Sequence, residues 1–438
     1  MTEKKVVIIG GGFGGLYTAL ELEKLLKHRD DVAVSLLSSQ NYFLFTPMLP
    51  EAGASSIGTR HIVSPLRKLL RRTRSAVVLV ERIDLASRVV FARHSLTGKQ
   101  REFPYDRLVL ALGGVTNYFN VPGADEYSIP FKTLGDAIYV RNHTIDKLEE
   151  AAVEPERAGE LLTFAVVGGG LTGVEISGAL NDFVREAAQF YPEIGRDQIR
   201  VLLVEAGPRL MPEMNKELAG FAEKVLGERG VEVRTNTSVV GVEANGFELS
   251  SGERVSTGTL IWAAGVAPNP LIDSLDVPKE RGRIRVNDHL EVEGLANVWS
   301  LGDCAHIPNP QTGKPHPATA QHAVREGKCV GRNVAASLGI GTRRQFVYRT
   351  MGQLAIVGER TGVADVMGLR FSGLIAWFLW RTYYLMRIPQ LEKRLRVVLD
   401  WTLDLFFERD LVQLAVTRDR KRSASFVWER GRPGRNPG

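Results

Sequence analysis

The sequence predicts an α/β chain carrying two Rossmann-like, parallel-sheet units, and three observations lead to it. Residues 6–15 read as a buried strand, a glycine turn and the start of a helix, with Gly10, Gly12 and Gly15 in the spacing G-x-G-x-x-G and Phe13 and Gly14 inside the turn. Residues 164–175 repeat that grammar with Gly168, Gly170 and Gly173. Later strands close in Gly113, Gly265 and Gly302, as where a chain returns to pass a bound ligand. In such turns the glycines allow a tight bend and close backbone approach to a pyrophosphate. The helix N-terminus supplies free N–H groups and a partial positive charge for it. One copy is a weak signal, because glycine turns also join strands to helices without a nucleotide. Two copies in one chain point to dinucleotide binding.

Composition sets the bounds. A chain of 438 residues holds two or three domains, and 44% hydrophobic with 24% charged residues is the balance of an ordinary globular protein. The net charge of +6 is modest, but Arg and Lys crowd the C-terminal fifth. No nucleic-acid-binding motif accompanies that charge, so no nucleic-acid partner is expected; an anionic membrane surface accounts for it. Cys304 and Cys329 form no C-x-x-C pair, which removes a local redox dithiol and favours a reducing compartment. The first strand begins within a few residues of Met1, leaving no room for a signal peptide. No stretch of about 18 uninterrupted apolar residues occurs, so no spanning helix is expected. No metal site is expected either.

Taken in order, the first unit runs strand 6–9, turn 10–15, helix 16–26 and strand 32–37. An acidic residue usually ends that second strand and holds ribose hydroxyls; here Ser38 stands in its place, a weaker partner. Residues 41–50 are apolar and contain Pro47; such a loop either packs a flat aromatic ring or is plain core. Residues 62–70 are predicted as helix, and 75–80, 88–91 and 108–112 as strands. A linker and long helix over 125–150 and a polar loop over 151–160 follow. The second unit has strand 164–167, helix 171–190, an inserted loop 191–198 and strand 199–204.

Glu205 caps that last strand, and the inserted loop carries it beyond the usual spacing of about 20 residues from the glycine turn. A carboxylate there accepts bonds from ribose hydroxyls and repels a 2′-phosphate, which favours NADH over NADPH. The plain alternative is an exposed strand-end charge. Residues 260–268 form a strand closing in Gly265, and 298–304 an apolar strand ending in Gly302 and Asp303. An Asp so placed bonds the ribityl or pyrophosphate region of a flavin, or simply makes a turn. Residues 318–327 then start a helix, containing Ala320 and Gln321, whose first N–H groups face the same ligand.

This ordered set resembles the type II NADH dehydrogenases (NADH:quinone oxidoreductases) of the FAD-dependent pyridine nucleotide-disulfide oxidoreductase-like superfamily, over about Lys4 to Leu414. The resemblance implies that the first turn binds the FAD pyrophosphate, with Ser38 near the adenosine ribose and Pro47 near the isoalloxazine. Gly302 and Asp303 would meet the ribityl-pyrophosphate, and Ala320 and Gln321 the pyrimidine edge of the ring. The second turn and Glu205 would bind NADH. Glu175 would sit beside the nicotinamide–flavin stack, and Gln321 would also border the quinone-facing side; these two are the catalytic candidates. One departure stands out. A second glutamine is common four residues after Gln321, whereas this chain has Arg325 on the same helix face, able to stabilise a reduced anion or to pair with a carboxylate.

The implied organisation is an FAD domain over 1–160 and 276–345, interrupted by an NADH domain over 161–275, then a C-terminal membrane-association or dimerisation domain over 346–417 and a basic, disordered tail over 418–438. Residues 371–380 are nearly all apolar and end at Arg381. Leu391, Leu395, Val398, Leu399, Leu405 and Phe406 then recur at helical spacing. Short apolar helices with Trp and flanking Arg suit a membrane headgroup boundary, which predicts a peripheral enzyme on the cytoplasmic face of a membrane; packing on the flavin domain or a homodimer interface is the alternative. Two further functions compete: a soluble NADH-dependent reductase of a protein acceptor, and a non-enzymatic FAD/NADH redox sensor. A sulfide:quinone oxidoreductase needs a separated cysteine pair flanking the flavin, and Cys304 and Cys329 fall in the wrong places.

Overall fold

Burial of the run Val6–Val7–Ile8–Ile9 on both faces is what a strand in the middle of a parallel sheet requires, and the first sheet forms around it. A computed structural model describes residues 3–413. It divides into two compact units. The first comprises the chain up to Leu44 together with Val63–Val115 and Val266–Thr350; the second comprises Phe45–Ile62, Thr116–Gly265 and the chain from Met351.

The first unit holds a seven-stranded sheet in the order Val298–Ser300, Arg107–Leu110, Lys4–Ile9, Val32–Ser38, Arg74–Asp84, Val89–His94, Gln100–Pro104. The first five strands are parallel, and the last two turn back as antiparallel hairpins. The helix Phe13–Leu25 makes the crossover between the first two strands in sequence. The helix Ala320–Ser337 packs against it at glycines: a Cβ on Gly327 would lie 2.5 Å from Gly14 O, and one on Gly331 2.8 Å from Glu21 Cβ.

The second unit has a five-stranded, wholly parallel sheet in the order Ile129–Pro130, Thr259–Trp262, Thr163–Val167, Arg200–Val204, Val231–Arg234. The helix Leu171–Ala187 is the crossover after its central strand. Its core joins Ala165, Leu202, Val204 and Trp262 of that sheet to Phe247 and Val255 of a small antiparallel sheet. The C-terminal part adds three antiparallel strands, Gly352–Ile356, Gly362–Val366 and Leu369–Ser372, and two helices, Gly373–Arg387 and Leu391–Leu403.

Several expected elements differ. Residues 62–70 are not one helix: Val63–Pro65 is a strand paired antiparallel with Tyr42–Leu44, and only Leu66–Leu69 is helical. Pro65 is the cause, since a proline disfavours helical backbone in the residue before it. The strand expected over 298–304 stops at Ser300, because Gly302 turns the chain with φ +72. The loop expected over 151–160 contains the helical turns Pro155–Arg157 and Ala158–Leu161. The helix expected over 171–190 ends at Ala187 in a 3-10 turn, Ala188–Phe190. The basic tail expected from residue 418 lies outside the described residues.

Candidate functional site

Each glycine of the first turn has a separate job. Gly10 leaves the strand at φ +113, and a Cβ there would lie 2.0 Å from Ala111 O. A Cβ on Gly15 would lie 1.9 Å from Gly10 O, so that glycine lets the helix close onto the turn. A Cβ on Gly14 would lie 3.0 Å from Leu301 Cδ1, and one on the intervening Gly11 2.6 Å from Ser38 Oγ. Gly12 alone faces open space, with nothing within 4 Å of its Cβ position. It is the N-cap of Phe13–Leu25, a helix with no side-chain cap and no acid in its first turn. By contrast Thr133 and Asp136 form a full capping box on the helix Leu134–Val153. An uncapped N-terminus behind an open glycine is the arrangement an anion needs. Phe13 packs edge-on against Phe43, with ring centroids 4.8 Å apart.

Other predicted residues of the first unit are linked to this turn through Leu301. Leu301, against Gly14, leads into the 3-10 turn Gly302–Cys304, and a Cβ on Gly114 would meet Asp303 Cβ at 3.3 Å. Gly113 and Gly302, both at positive φ, again face open space. Gly302 N donates to Glu326 Oε2 at 2.8 Å; Glu326 is buried, and that burial pushes its carboxyl up to about 8. Ala320 and Gln321 open a helix whose N-cap, Thr319, makes no side-chain cap bond. The Tyr348 hydroxyl donates to Gln321 Oε1 at 2.9 Å, and Arg325 donates to Gln321 O at 2.7 Å while its guanidinium lies 4.2 Å over the Tyr348 ring. Arg325 therefore binds its own helix and an aromatic face.

In the second unit the second turn repeats the first. Gly168 has φ +106, a Cβ on Gly173 would lie 1.6 Å from Gly168 O, and Gly170 faces open space at the uncapped N-terminus of Leu171–Ala187. Gly169 abuts Glu205 as Gly11 abuts Ser38, so the two strand-end residues hold equivalent places. Here the side chain is a carboxylate: Glu205 Oε2 accepts from Gly169 N at 2.5 Å and Oε1 from Gly207 N at 2.6 Å. It sits at the mouth of the turn with its carboxylate group held in place by two backbone amides. Gly265, at φ +70, packs under Phe119, whose Cζ would be 2.5 Å from an added Cβ.

Glu175 lies on the helix that the second turn starts. It is buried, and its Oε1 accepts from Trp380 Nε1 at 3.0 Å and Ile356 N at 3.3 Å. Burial raises its carboxyl to about 8 against the lowering effect of those two bonds, and the nearby Glu51 raises it further. A protonatable group poised near neutral pH is what acid–base work requires. Pro47 lies in the 3-10 turn Thr46–Met48, which leads into the helix Leu49–Gly53 carrying Glu51. Glu51 is also buried and raised to about 7 by that burial, with Arg381 Nη2 3.8 Å away.

The sequence reading missed Glu51, Glu326 and Tyr348. A signal existed for the two acids: a single carboxylate within an apolar run, and a Glu–Gly pair inside a helix that packs closely. Both cysteines are free and buried. Among the described residues no cluster of His, Cys, Asp or Glu could hold a metal ion, and no helix is long and apolar enough to cross a membrane.

Known proteins match both parts of this architecture. Residues 4–327 match the pyridine nucleotide-disulphide oxidoreductase family, and residues 351–410 the NDH2 C-terminal domain. The chain is 31% identical to the type II NADH:quinone oxidoreductase of Mycobacterium tuberculosis, over 94% of this chain and 90% of that one. It is 30% identical to a probable NADH dehydrogenase of Dictyostelium discoideum, over 93% and 91%. Among solved structures, NDH2 from Plasmodium falciparum in complex with NADH superposes with a TM-score of 0.87 at 22% identity, covering 94% of this chain and all (100%) of that one.

Proposed function

The chain belongs to the pyridine nucleotide-disulphide oxidoreductases, in their type II NADH dehydrogenase branch, and on that membership we propose that it oxidises NADH and reduces a membrane quinone through FAD, without pumping protons. Bound FAD supplies the redox chemistry, accepting hydride from NADH and passing two electrons to the quinone.

The observation that carries this reading is the pair of uncapped glycine turns, open at Gly12 and Gly170, of which only the second is met by a carboxylate. The first, with Gly113, Gly302 and Asp303, fits the FAD pyrophosphate and ribityl chain, and Ser38 its adenosine ribose. Ala320 and Gln321 open a helix whose N-cap makes no side-chain bond, and they meet the same cofactor. The second turn, with Glu205 and Gly265, takes NADH. The charge of Glu205 favours ribose hydroxyls and disfavours a 2′-phosphate. Glu175 serves proton exchange, and Pro47 keeps the flavin-side role that the family resemblance implies.

The reading puts the enzyme peripherally on the cytoplasmic face of a membrane with anionic lipid. It is supported by two cysteines that remain thiols and by the helix Leu391–Leu403. That helix turns Val397 and Trp401 inward while Leu391, Leu395 and Leu399 stay exposed. A protein acceptor or a redox sensor is the weaker reading, because relatives matching 94% and 86% of this chain carry the name quinone oxidoreductase.

Anaerobic flavin reduction tests it. NADH should bleach the flavin at least about tenfold faster than NADPH, and a short-chain quinone should restore the colour within the mixing time. Recovery only with a protein acceptor or oxygen would overturn the quinone half.

A further inference from the structure

We propose that Glu51 is the proton donor to Glu175, a second buried carboxyl that returns to Glu175 the proton consumed in quinone reduction. The proposal rests on the quinone reading and deepens it.

Glu51 lies on the helix Leu49–Gly53, which packs against the helix bearing Glu175. No side chain satisfies it fully. Its facing cation, Arg381, stands 3.8 Å away rather than in a close fork, and Glu51 Oε2 and Arg381 Nε are buried without a hydrogen-bond partner. Arg409 Nη1 shares that condition nearby, and the Trp401 indole beside Glu51 lowers its carboxyl against the effect of burial. A carboxylate kept only to hold an arginine would make the short bidentate bond that such pairs prefer. A cluster with donors and acceptors in excess of their protein partners has the chemistry that takes water.

The cluster also grades outward. Glu175 and Glu51 are 9% and 7% exposed. Arg409 lies 3.6 Å from Asp404 and 3.3 Å from Glu186, whose side chains are 18% and 28% exposed. Carboxyls therefore run from the buried Glu175 through Glu51 and Asp404 to Glu186 at the surface, with guanidinium groups between them. Arginine does not give up its proton, so water carries protons past it. The charged and titratable groups facing the pair are Arg381 and Tyr384 of the helix Gly373–Arg387, and Asp404 and Arg409 after the last helix. Burial raises both carboxyls toward neutral pH, so Glu51 is protonated under the same conditions as Glu175 and has a proton to give its carboxylate.

The step balances. NADH brings two electrons and one proton as hydride, and the quinone needs two of each, so one proton per turnover comes from the medium. Glu175 gives up its proton, Glu51 protonates the resulting carboxylate, and Glu51 recovers a proton through the Asp404–Glu186 side. No further oxidant or reductant takes part.

Glu51→Gln keeps the size of the side chain and removes the proton. In stopped flow at pH 8, E51Q should slow reoxidation by quinone about tenfold or more, with flavin reduction by NADH at its normal rate. A small proton donor such as imidazolium, supplied by imidazole buffer, should restore the lost rate, and Glu51→Asp should restore part of it. Infrared titration of the apoprotein adds a reading independent of turnover. The protonated-carboxyl absorption of the wild type should disappear as Glu51, Glu175 and Glu326 lose their protons, with the Glu326 step identified by its loss in E326Q. In E51Q one step should be lost and the Glu175 step moved to lower pH. An unchanged quinone limb in folded E51Q, a rate that imidazole does not rescue, or an unmoved Glu175 step each overturns the proposal. Should E51Q not fold, E51D and the wild-type titration decide it by the same criteria. A wild type that reduces no quinone defeats the proposed function instead, and the infrared coupling still judges the Glu51–Glu175 pair.

Discussion

Gly12 and Gly15 belong to one turn and do opposite work. Gly15 lets the helix close against Gly10 O, whereas Gly12 touches nothing and has an ordinary φ of −78. Gly173 and Gly170 divide the labour in the same way, Gly170 at φ −68. Gly12→Ala and Gly170→Ala should therefore fold with apoprotein Tm values within about 3 °C of wild type. G12A should nevertheless purify with little flavin, and the Kd of G170A for NADH should rise about tenfold or more as the methyl blocks the pyrophosphate. Gly15→Ala and Gly173→Ala should instead lose about 3 kcal/mol or more of stability from the clash with backbone carbonyls. Equal effects from both kinds of substitution, in thermal melts and titrations, would refute the division. The spacing in the sequence located all four glycines. It could not tell fold glycines from ligand glycines, because that depends on where Ala111, Gly10 and Ala264 bring their backbones. Glu51 and Glu326 escaped for a related reason: an acid reads as a surface residue until its neighbours are known.

At the scale of elements, legibility followed local pattern. The strands at 6–9 and 164–167 are continuous apolar runs bounded by glycine, and they formed as expected. The three-stranded sheet Gly352–Ser372 was not anticipated, since its strands are short and their pairing is set by turns at Gly358 and Gly368. The last helix was legible as a helix, but its orientation was not. The sequence offers an apolar stripe, and the structure turns Leu391, Leu395, Val398 and Leu399 outward with the buried face reduced to Val397 and Trp401. An apolar stripe facing outward on an amphipathic helix is the inverse of ordinary packing and suits the acyl boundary of a membrane. Each leucine transferred there contributes about 1.5–3 kcal/mol. The double substitution Leu395→Glu with Leu399→Glu should thus weaken partition to vesicles of mixed neutral and anionic lipid by about 100-fold or more, measured by sedimentation. Undiminished vesicle binding by the double variant would remove this helix from the membrane contact.

Summed over the molecule, the buried acids leave a mark on stability that no single site displays. Glu326 in the first unit and Glu51 and Glu175 in the second are all raised by burial, to about 8, 7 and 8. Unfolding releases their protons wherever the pH exceeds the ordinary carboxylate range. Their contribution is therefore complete below about pH 4.5 and is lost as pH rises through the folded values. His322 runs the other way. Burial, with the charges of His316 and Arg325 adding to it, lowers it to about 4, and burial lowers His316 as well. Both imidazoles bind protons on unfolding until about pH 6.5, so they offset the carboxyls up to that point and then stop. Carboxylates held low by backbone bonds, such as Glu23 on the amides of Arg71, Arg72 and Thr73, act only further to the acid side. The net slope is thus shallow from about pH 5 to 6.5 and steepest from about 6.5 to 8, on the order of 1 kcal/mol per pH unit for each carboxyl still protonated. Thermal midpoints of the apoprotein should fall most sharply across that interval. E175Q should flatten the fall without moving its acid side, and E326Q should do the same in the first unit. A wild-type midpoint that rose or stayed level from pH 6.5 to 8 would mean that these three acids are ionised in the folded chain. In that case Glu175 could not hold the proton its role requires.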